Sequence, residues 1–402
     1  MKFLKDVLLN IISQALFIAV QQILLFPIFE KNLGQKNFGY FLLIYSVFNV
    51  ITVTLATSFT NLYQRNFNNF DKELENRTNY YFYYKKLILY YFIASLLFLI
   101  VVIYINFSII IYLLLMLLVF LTISRMFLMV WFRIRKQFIN ILIVNICLSV
   151  LYSLIIFVNI NNIIDILIFF NISEFITIII LFLIVKYKIF EFIKADSEIF
   201  HYNAINILII SGLAGSMMNY SDRFVIKMLL GSSMITIFYI ATLPSKMFLL
   251  PFNMLSSVIL SYLANSKNIG RSLKRKVLIA LPIIFVTVSL ISYSVGLILI
   301  KILYYSYIND IKDIYFIVTL SFGLICLDFI LRSFLLKYFS IGKKAIIDIS
   351  TLVIFFILSY LFVIIFNNLV SVALAQLFVY IIKVIVQLLI FVKLKPTETV
   401  KK

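Results

Sequence analysis

The sequence predicts an all-α, polytopic membrane protein of about twelve transmembrane helices arranged as two sets of six. Three observations carry that prediction. The chain of 402 residues is 64% hydrophobic and only 13% charged, with a mean hydropathy of +1.12, whereas a soluble domain is nearer half apolar and a quarter charged. Apolar runs long enough to cross hydrocarbon as helices, roughly 20 residues each, recur along the whole length. Lysine and arginine alternate between abundant and scarce in the segments joining those runs, as they do across a bilayer.

The backbone finds no water in hydrocarbon, so each crossing must be a complete helix. Six runs fall near 7–29, 38–60, 87–105, 107–130, 139–158 and 163–185. A charged stretch from Lys186 to Tyr202 follows, then six more near 203–221, 234–262, 277–300, 314–337, 345–366 and 369–392. The first run opens after Met1–Asp6 like a signal peptide. It has no small-x-small cleavage site and another apolar run follows at once, so it reads as a retained membrane helix.

Charge tests this map independently. With the N-terminus inside and strict alternation, 27 Lys and Arg fall inside, 6 outside, and Lys246 and Lys383 within helices, which accounts for all 35. A misplaced helix would invert the bias downstream of it, and none is inverted. Both termini are then cytoplasmic. The chain divides into a six-helix half over 1–185, a cytoplasmic linker over 186–202 and a second six-helix half over 203–402. An internal echo points to duplication: Leu33-Gly34 leading to Phe38-Gly39-Tyr40 in one half, and Leu230-Gly231 leading to Ile237-Phe238-Tyr239 in the other. Parallel repeats of this kind are common in secondary transporters.

The net charge of +19 raises nucleic-acid binding, but the cations are scattered in short clusters between apolar runs rather than gathered on one face, which argues against it. No outer loop exceeds about a dozen residues, too short for an extracytoplasmic active site. Cys147 and Cys326 lie in apolar runs and read as packed thiols, and His201 as an exposed linker residue. No catalytic or metal-binding motif is present, so the chain reads as no enzyme. The run Tyr80–Tyr84, before Lys85 and Lys86, reads as an interfacial aromatic belt.

Polar groups at membrane depth line a cavity or join neighbouring helices. Asn10, Gln14 and Gln21 recur on one face of the first helix, and Asn49, Thr52, Ala56 and Thr60 on one face of the second. The seventh carries Gly212, Gly215, Ser216, Asn219, Asp222 and Arg223; the eighth carries Thr242, Ser245, Lys246, Asn253 and Ser256 between and beyond Pro244 and Pro251. The first two helices of each half thus hold the polar stripes, and both cavity lining and helix packing remain open for them. Among ionisable residues, Lys246 sits too deep to snorkel easily. It is either functional or half of a structural pair with Glu174, which lies mid-helix beside Asn171 and Thr177. Asp328 is four residues from Arg332, an intrahelical pairing distance. Lys383 can snorkel, and Arg223 and Lys227 lie at the outer mouth, where interface charges are ordinary.

Residues in both halves carry a family resemblance: Gln21-Gln22, Pro27, Leu33-Gly34 and Phe38-Gly39-Tyr40, then Asp222-Arg223-Phe224, Leu230-Gly231, Tyr239-Ile240-Ala241 and Pro251. Together they resemble the bacterial polysaccharide flippases of the multidrug/oligosaccharidyl-lipid/polysaccharide (MOP) superfamily. Length and helix number are similar to the O-antigen (Wzx-type) branch; peptidoglycan-precursor flippases usually carry extra helices. The layout matches over nearly the whole chain, the motifs over about 60 residues.

The resemblance implies two six-helix lobes around a central cavity lined by helices one, two, seven and eight. It implies a transporter of the bacterial inner (plasma) membrane that moves undecaprenyl-diphosphate-linked oligosaccharide from inner to outer leaflet by alternating access. Lys246, with Arg223 or Lys227, would hold the diphosphate, and Gln14, Gln21, Asn49, Asn219 and Asn253 would replace water around the sugar. Glu174 and Asp328 are the candidates for coupling to a proton or sodium ion, with no other cofactor expected. The expected partners are the polyprenyl-diphosphate-linked oligosaccharide, membrane lipid and polysaccharide polymerase machinery. The main rival is an ion-coupled drug antiporter of the same superfamily. Drug sites favour acidic cavity residues, and the first helix offers only Asp6, at its inner end. A major facilitator fold would bring a glycine-rich loop after the second helix, and the segment 61–86 has no glycine. A membrane polymerase or acyltransferase would need a large outer loop or an intramembrane His/Asp pair.

Overall fold

The computed structural model describes residues 12–13, 15–66, 73–104, 108–135, 137–185, 202–263, 269–339, 341–394 and 396–397. The architecture is all-α. Helix α1 covers 15–33 and α2 covers 35–66, divided at Gly34. There follow α3 (Glu73–Tyr104), α4 (Ile109–Ile134), α5 (Phe138–Ser153) and α6 (Ile163–Val185). The second series is α7 (Tyr202–Leu229), α8 (Ser232–Leu263), α9 (Arg271–Leu303), α10 (Ile308–Tyr338), α11 (Ile341–Phe366) and α12 (Leu369–Lys393). Ten spans among the described residues are long and apolar enough to cross a membrane, and the first of them contains both α1 and α2. Helix α7 is 28 residues long but lies outside that set, because glycine, serine, asparagine and charge dilute its apolar content. The protein is therefore the multi-pass membrane protein of about twelve helices that its apolar runs predict.

The internal echo has a backbone basis. Gly34 has φ 73° and Gly231 has φ 96°, a region costly for any residue with a β-carbon. Each glycine separates the first helix of a half from the second. At Gly231 the break is closed by Leu230 and Gly231 both donating to the Ile226 carbonyl, at 2.8 and 2.9 Å, which satisfies an end-of-helix acceptor. The last helix of each half is started by asparagine. Asn162 Oδ1 accepts from the Asp165 N–H at 3.0 Å, while Asp165 accepts from Asn161 and Asn162. Asn368 caps α12 by accepting from the Ser371 N–H at 3.1 Å. In α1, a π-helical stretch, Val20–Leu25, precedes Pro27. The missing proline N–H leaves the Ile23 carbonyl without its α-helical donor, and the widened turn absorbs the defect.

Contacts group the chain into two units, 1–220 and 221–402, with the division inside α7. In the first, α4 is the central helix, packed against α2, α3, α5 and α6. The tyrosine run serves this packing rather than a belt. Tyr80 and Tyr83 are buried, Tyr80 stacks on Phe127 of α4 with ring centroids 4.8 Å apart, and its hydroxyl donates to the Phe127 carbonyl at 3.0 Å. Residues 80, 83 and 84 share one helical face, so the run turns its rings inward at that face. Small residues do the same work in the first part of α7. Ser216 Oγ lies 2.8 Å from Thr54 Oγ1, and a β-carbon on Gly212 would stand 3.4 Å from Ser58 Oγ. Packing, one of the two readings left open for the stripe, holds at Gly212 and Ser216.

In the second unit α10 is central, packed against α8, α9, α11 and α12. Its apolar core gathers Leu281, Leu327, Leu331, Phe334, Val384 and Phe391. A short parallel pairing joins β1 (Ile269–Gly270) to β2 (Pro396–Thr397), and Lys274 Nζ donates to the Val392 and Leu394 carbonyls at the end of α12. Pro244 of α8 packs on Gly296 of α9, beside the Tyr315 hydroxyl that donates to the Ser292 carbonyl at 2.9 Å. A β-carbon at Gly296 would stand 2.7 Å from Pro244 Cβ. Gly296→Ala is therefore expected to destabilise the fold by about 1–3 kcal/mol through overpacking, read as a lowered thermal midpoint of the detergent-solubilised protein.

Candidate functional site

A charge drawn into hydrocarbon persists only if it is paired or solvated. Among the described residues, three groups of buried charge meet that demand.

The first joins the last turns of α7 to the middle of α8. Lys246 Nζ is 3.4 Å from Asp222 Oδ2, with the lysine side chain 18% exposed. The other Asp222 oxygen accepts the Arg223 backbone N–H at 2.9 Å. The buried Arg223 guanidinium sits over the Tyr239 ring, 5.3 Å from its centroid, and is within electrostatic reach of Lys246. Lys227 Nζ donates to Ser232 Oγ at 2.7 Å. Helices α7 and α8 thus carry three cations, Arg223, Lys227 and Lys246, and one carboxylate, Asp222. Arg223 and Lys246, separated by 23 residues in sequence, are brought together here.

The second group joins three helices of the second unit. Lys383 Nζ of α12 is 3.0 Å from Asp328 Oδ2 of α10 and 3.2 Å from Asp348 Oδ1 of α11. Lys344, one turn before Asp348, is 2.5 Å from its Oδ2. Gln387 Nε2 donates to Asp328 Oδ1 at 2.5 Å. The phenol of Tyr380 on α12 lies within electrostatic reach of Asp222 and of Asp328 and Asp348, so the two groups adjoin. Asp328 therefore pairs across helices with Lys383, rather than along its own helix with Arg332. Lys383 is buried by those carboxylates and does not snorkel.

The third group belongs to the first unit. Arg125 of α4 grips Glu174 of α6 with two hydrogen bonds, Nε to Oε2 at 2.6 Å and Nη2 to Oε1 at 3.0 Å. Tyr152 of α5 adds its hydroxyl at 3.3 Å and stacks on Phe170 with centroids 4.5 Å apart. Arg125 and Glu174 are 5% and 1% exposed. Glu174 is thus paired with Arg125, and Lys246 with Asp222; the alternative of a Glu174–Lys246 pair is not formed. Arg125 and Lys344, two of the 27 cations that the alternation of charge places in inner segments, are buried in ion pairs. The sequence signal for Arg125 was its position inside the apolar run 107–130, where a long cation has no water to reach.

Gln21 is buried within the π-helical stretch of α1. Asn49 Nδ2 donates to the Tyr45 carbonyl of its own helix at 2.7 Å. Asn219 is exposed. Gln14 lies outside the described residues, as does the side chain of Asn253. Asn171 is occupied by the Leu114 and Leu167 carbonyls, at 3.0 and 2.8 Å.

The bidentate pair yields an expectation. Arg125→Leu leaves Glu174 buried and uncompensated, which costs about 3–5 kcal/mol, while Arg125→Leu/Glu174→Leu restores most of it. Thermal unfolding of the single and double variants in detergent measures the difference.

No protein family and no curated relative matches the sequence. Solved structures do match in fold. An outward-facing multidrug resistance MATE family transporter of the MOP superfamily superposes with TM-score 0.66 at 15% identity, over 98% of this chain and 97% of that one. An inward-facing member of the same kind gives 0.61 at 13%, over 94% of each chain. A MATE protein in complex with MaD5 gives 0.65 at 15%, over 96% and 94%. Across almost its entire length, the chain has the fold of the MATE transporters of the MOP superfamily.

Proposed function

We propose that the protein is a membrane transporter that works by alternating access. The observation that carries this reading is the full-length likeness to transporters solved in outward-facing and inward-facing conformations. Two cargoes compete. Two of the solved neighbours are multidrug resistance transporters, which supports ion-coupled small-molecule antiport, and of the two readings this one has the support of the comparisons.

The flippase reading retains an observation of its own, the loosely held Lys246 beside Arg223 on α7 and α8. Arg223, Lys227 and Lys246 stand on these two helices, and Lys246 keeps only a long contact to Asp222. A diphosphate competes well for such donors, displacing the long 3.4 Å contact between Lys246 and Asp222. An undecaprenyl-diphosphate-linked oligosaccharide would then cross from the inner to the outer leaflet of a bacterial plasma membrane, with its tail kept in lipid, and pass to polymerase machinery. In either reading a coupling proton or sodium ion at Glu174 must compete with Arg125, which binds both carboxylate oxygens.

Leaflet assignment of lipid-linked oligosaccharide in cells with and without the gene separates the cargoes. The flippase reading expects accumulation on the cytoplasmic leaflet in the deletion, cured by wild type and reduced at least tenfold in rate by Lys246→Ala, the loss of about 1.4 kcal/mol of a charge-assisted contact. An unchanged glycolipid distribution, with raised susceptibility to cationic drugs in the deletion, assigns the protein to small-molecule antiport.

A further inference from the structure

The second group of buried charge has an unusual centre. One ammonium, Lys383 Nζ, stands between carboxylate oxygens of two other helices, 3.0 Å from Asp328 and 3.2 Å from Asp348. The second Asp328 oxygen is held by Gln387 Nε2; Gln387 is 1% exposed, and its Oε1 is buried with no hydrogen-bond partner among the described residues. The second Asp348 oxygen is held by Lys344. Arg332 and Tyr380 also lie within electrostatic reach of Asp348, and Asp222 within reach of Tyr380. Remove the ammonium and what remains is a buried pocket of oxygens from α10, α11 and α12, two carboxylates and an unused amide oxygen. Hard monovalent and divalent cations are bound by oxygens of this kind.

We propose that Lys383 is a tethered counter-cation, occupying from within the chain a site that would otherwise bind a small monovalent cation. The net charge supports a monovalent occupant. Within ion-pair distance, Asp328 and Asp348 carry two negative charges and Lys344 offsets one, so a single positive charge balances the contacting groups, with Arg332 acting on Asp348 only from a longer range. The tether makes the packing of α10 and α11 against α12 independent of any free ion, because the occupant cannot leave. It also means that Asp328 does not exchange a solution cation while Lys383 is in place. The inference concerns the second unit alone and stands whichever cargo is carried.

The test is thermal unfolding of the purified full chain in detergent at pH 8, with sodium, potassium or choline chloride at constant ionic strength. Wild type is expected to unfold at the same temperature in all three salts. Lys383→Met removes the charge and keeps the chain length; it is expected to unfold at a lower temperature in choline and to regain stability, saturably, in sodium or potassium. Asp328→Asn/Lys383→Met is expected to lose that response and to unfold above the single variant in choline. Equal midpoints of Lys383→Met in the three salts would overturn the proposal, as would an alkali-cation response of the wild type. Should Lys383→Met not fold in any salt, the double variant decides: its recovery supports the tether, and its failure overturns it. Cargo plays no part in the readout, so an error in the transport reading cannot produce the same result.

Discussion

A charge buried among membrane helices must bring its counter-charge with it, and that constraint organises both halves of this protein. In each half the central fourth helix carries one buried charge and the sixth helix carries its partner. Arg125 on α4 binds Glu174 on α6, and Asp328 on α10 binds Lys383 on α12. The depths correspond: Arg125 lies nine residues before the end of α4 at Ile134, and Asp328 ten before the end of α10 at Tyr338. Neither bond alone adds much net stability against a well-packed apolar pair, but removing one partner strands the other in hydrocarbon. The rotation of the helices about their axes is therefore fixed at these points, and the aromatic packing of Tyr80 on Phe127 and of Tyr152 on Phe170 is built around helices already set in register.

Much of the fold was legible because hydrocarbon imposes a length. The apolar runs near 163–185 and 369–392 became α6 (Ile163–Val185) and α12 (Leu369–Lys393) almost residue for residue, and the break after the first helix was announced by Leu33-Gly34. Pairing was far less legible. A helix apolar on nearly every side, as α6 and α10 are, gives no phase from which to tell what a lone polar residue meets. The sequence places Glu174 deep but gives no sign that Arg125 meets it, and the four-residue spacing of Asp328 and Arg332 suggests a pairing along one helix where the bond runs across to Lys383. Tyr80–Tyr84 misled for a related reason. Tyrosines beside Lys85 and Lys86 resemble an interfacial belt by composition, and only their shared helical face shows that they turn inward.

The cation-rich end of α7 and α8 shows the same division. Composition identified Arg223, Lys227 and Lys246, and geometry added Asp222, Tyr239 and the adjoining Tyr380. Lys246 is held by one long contact, whereas Arg125 and Lys383 each hold two oxygens. A buried cation that is loosely paired and still 18% exposed has bonding capacity left for something arriving from outside, which a fully engaged one lacks. This contrast, more than depth in the membrane, sets Lys246 apart from the two fully engaged cations.

The opposite polarity of the two pairs has a consequence for assembly. If the halves arose by duplication, each fourth helix resembles the other in shape and could be offered the wrong sixth helix while the chain is being inserted. Arg125 meeting Lys383, or Asp328 meeting Glu174, would bring like charges together without solvent, at a cost of several kcal/mol. Only the two native combinations neutralise. The reversed sign thus works as a key, allowing two similar bundles to sort themselves within one continuous chain.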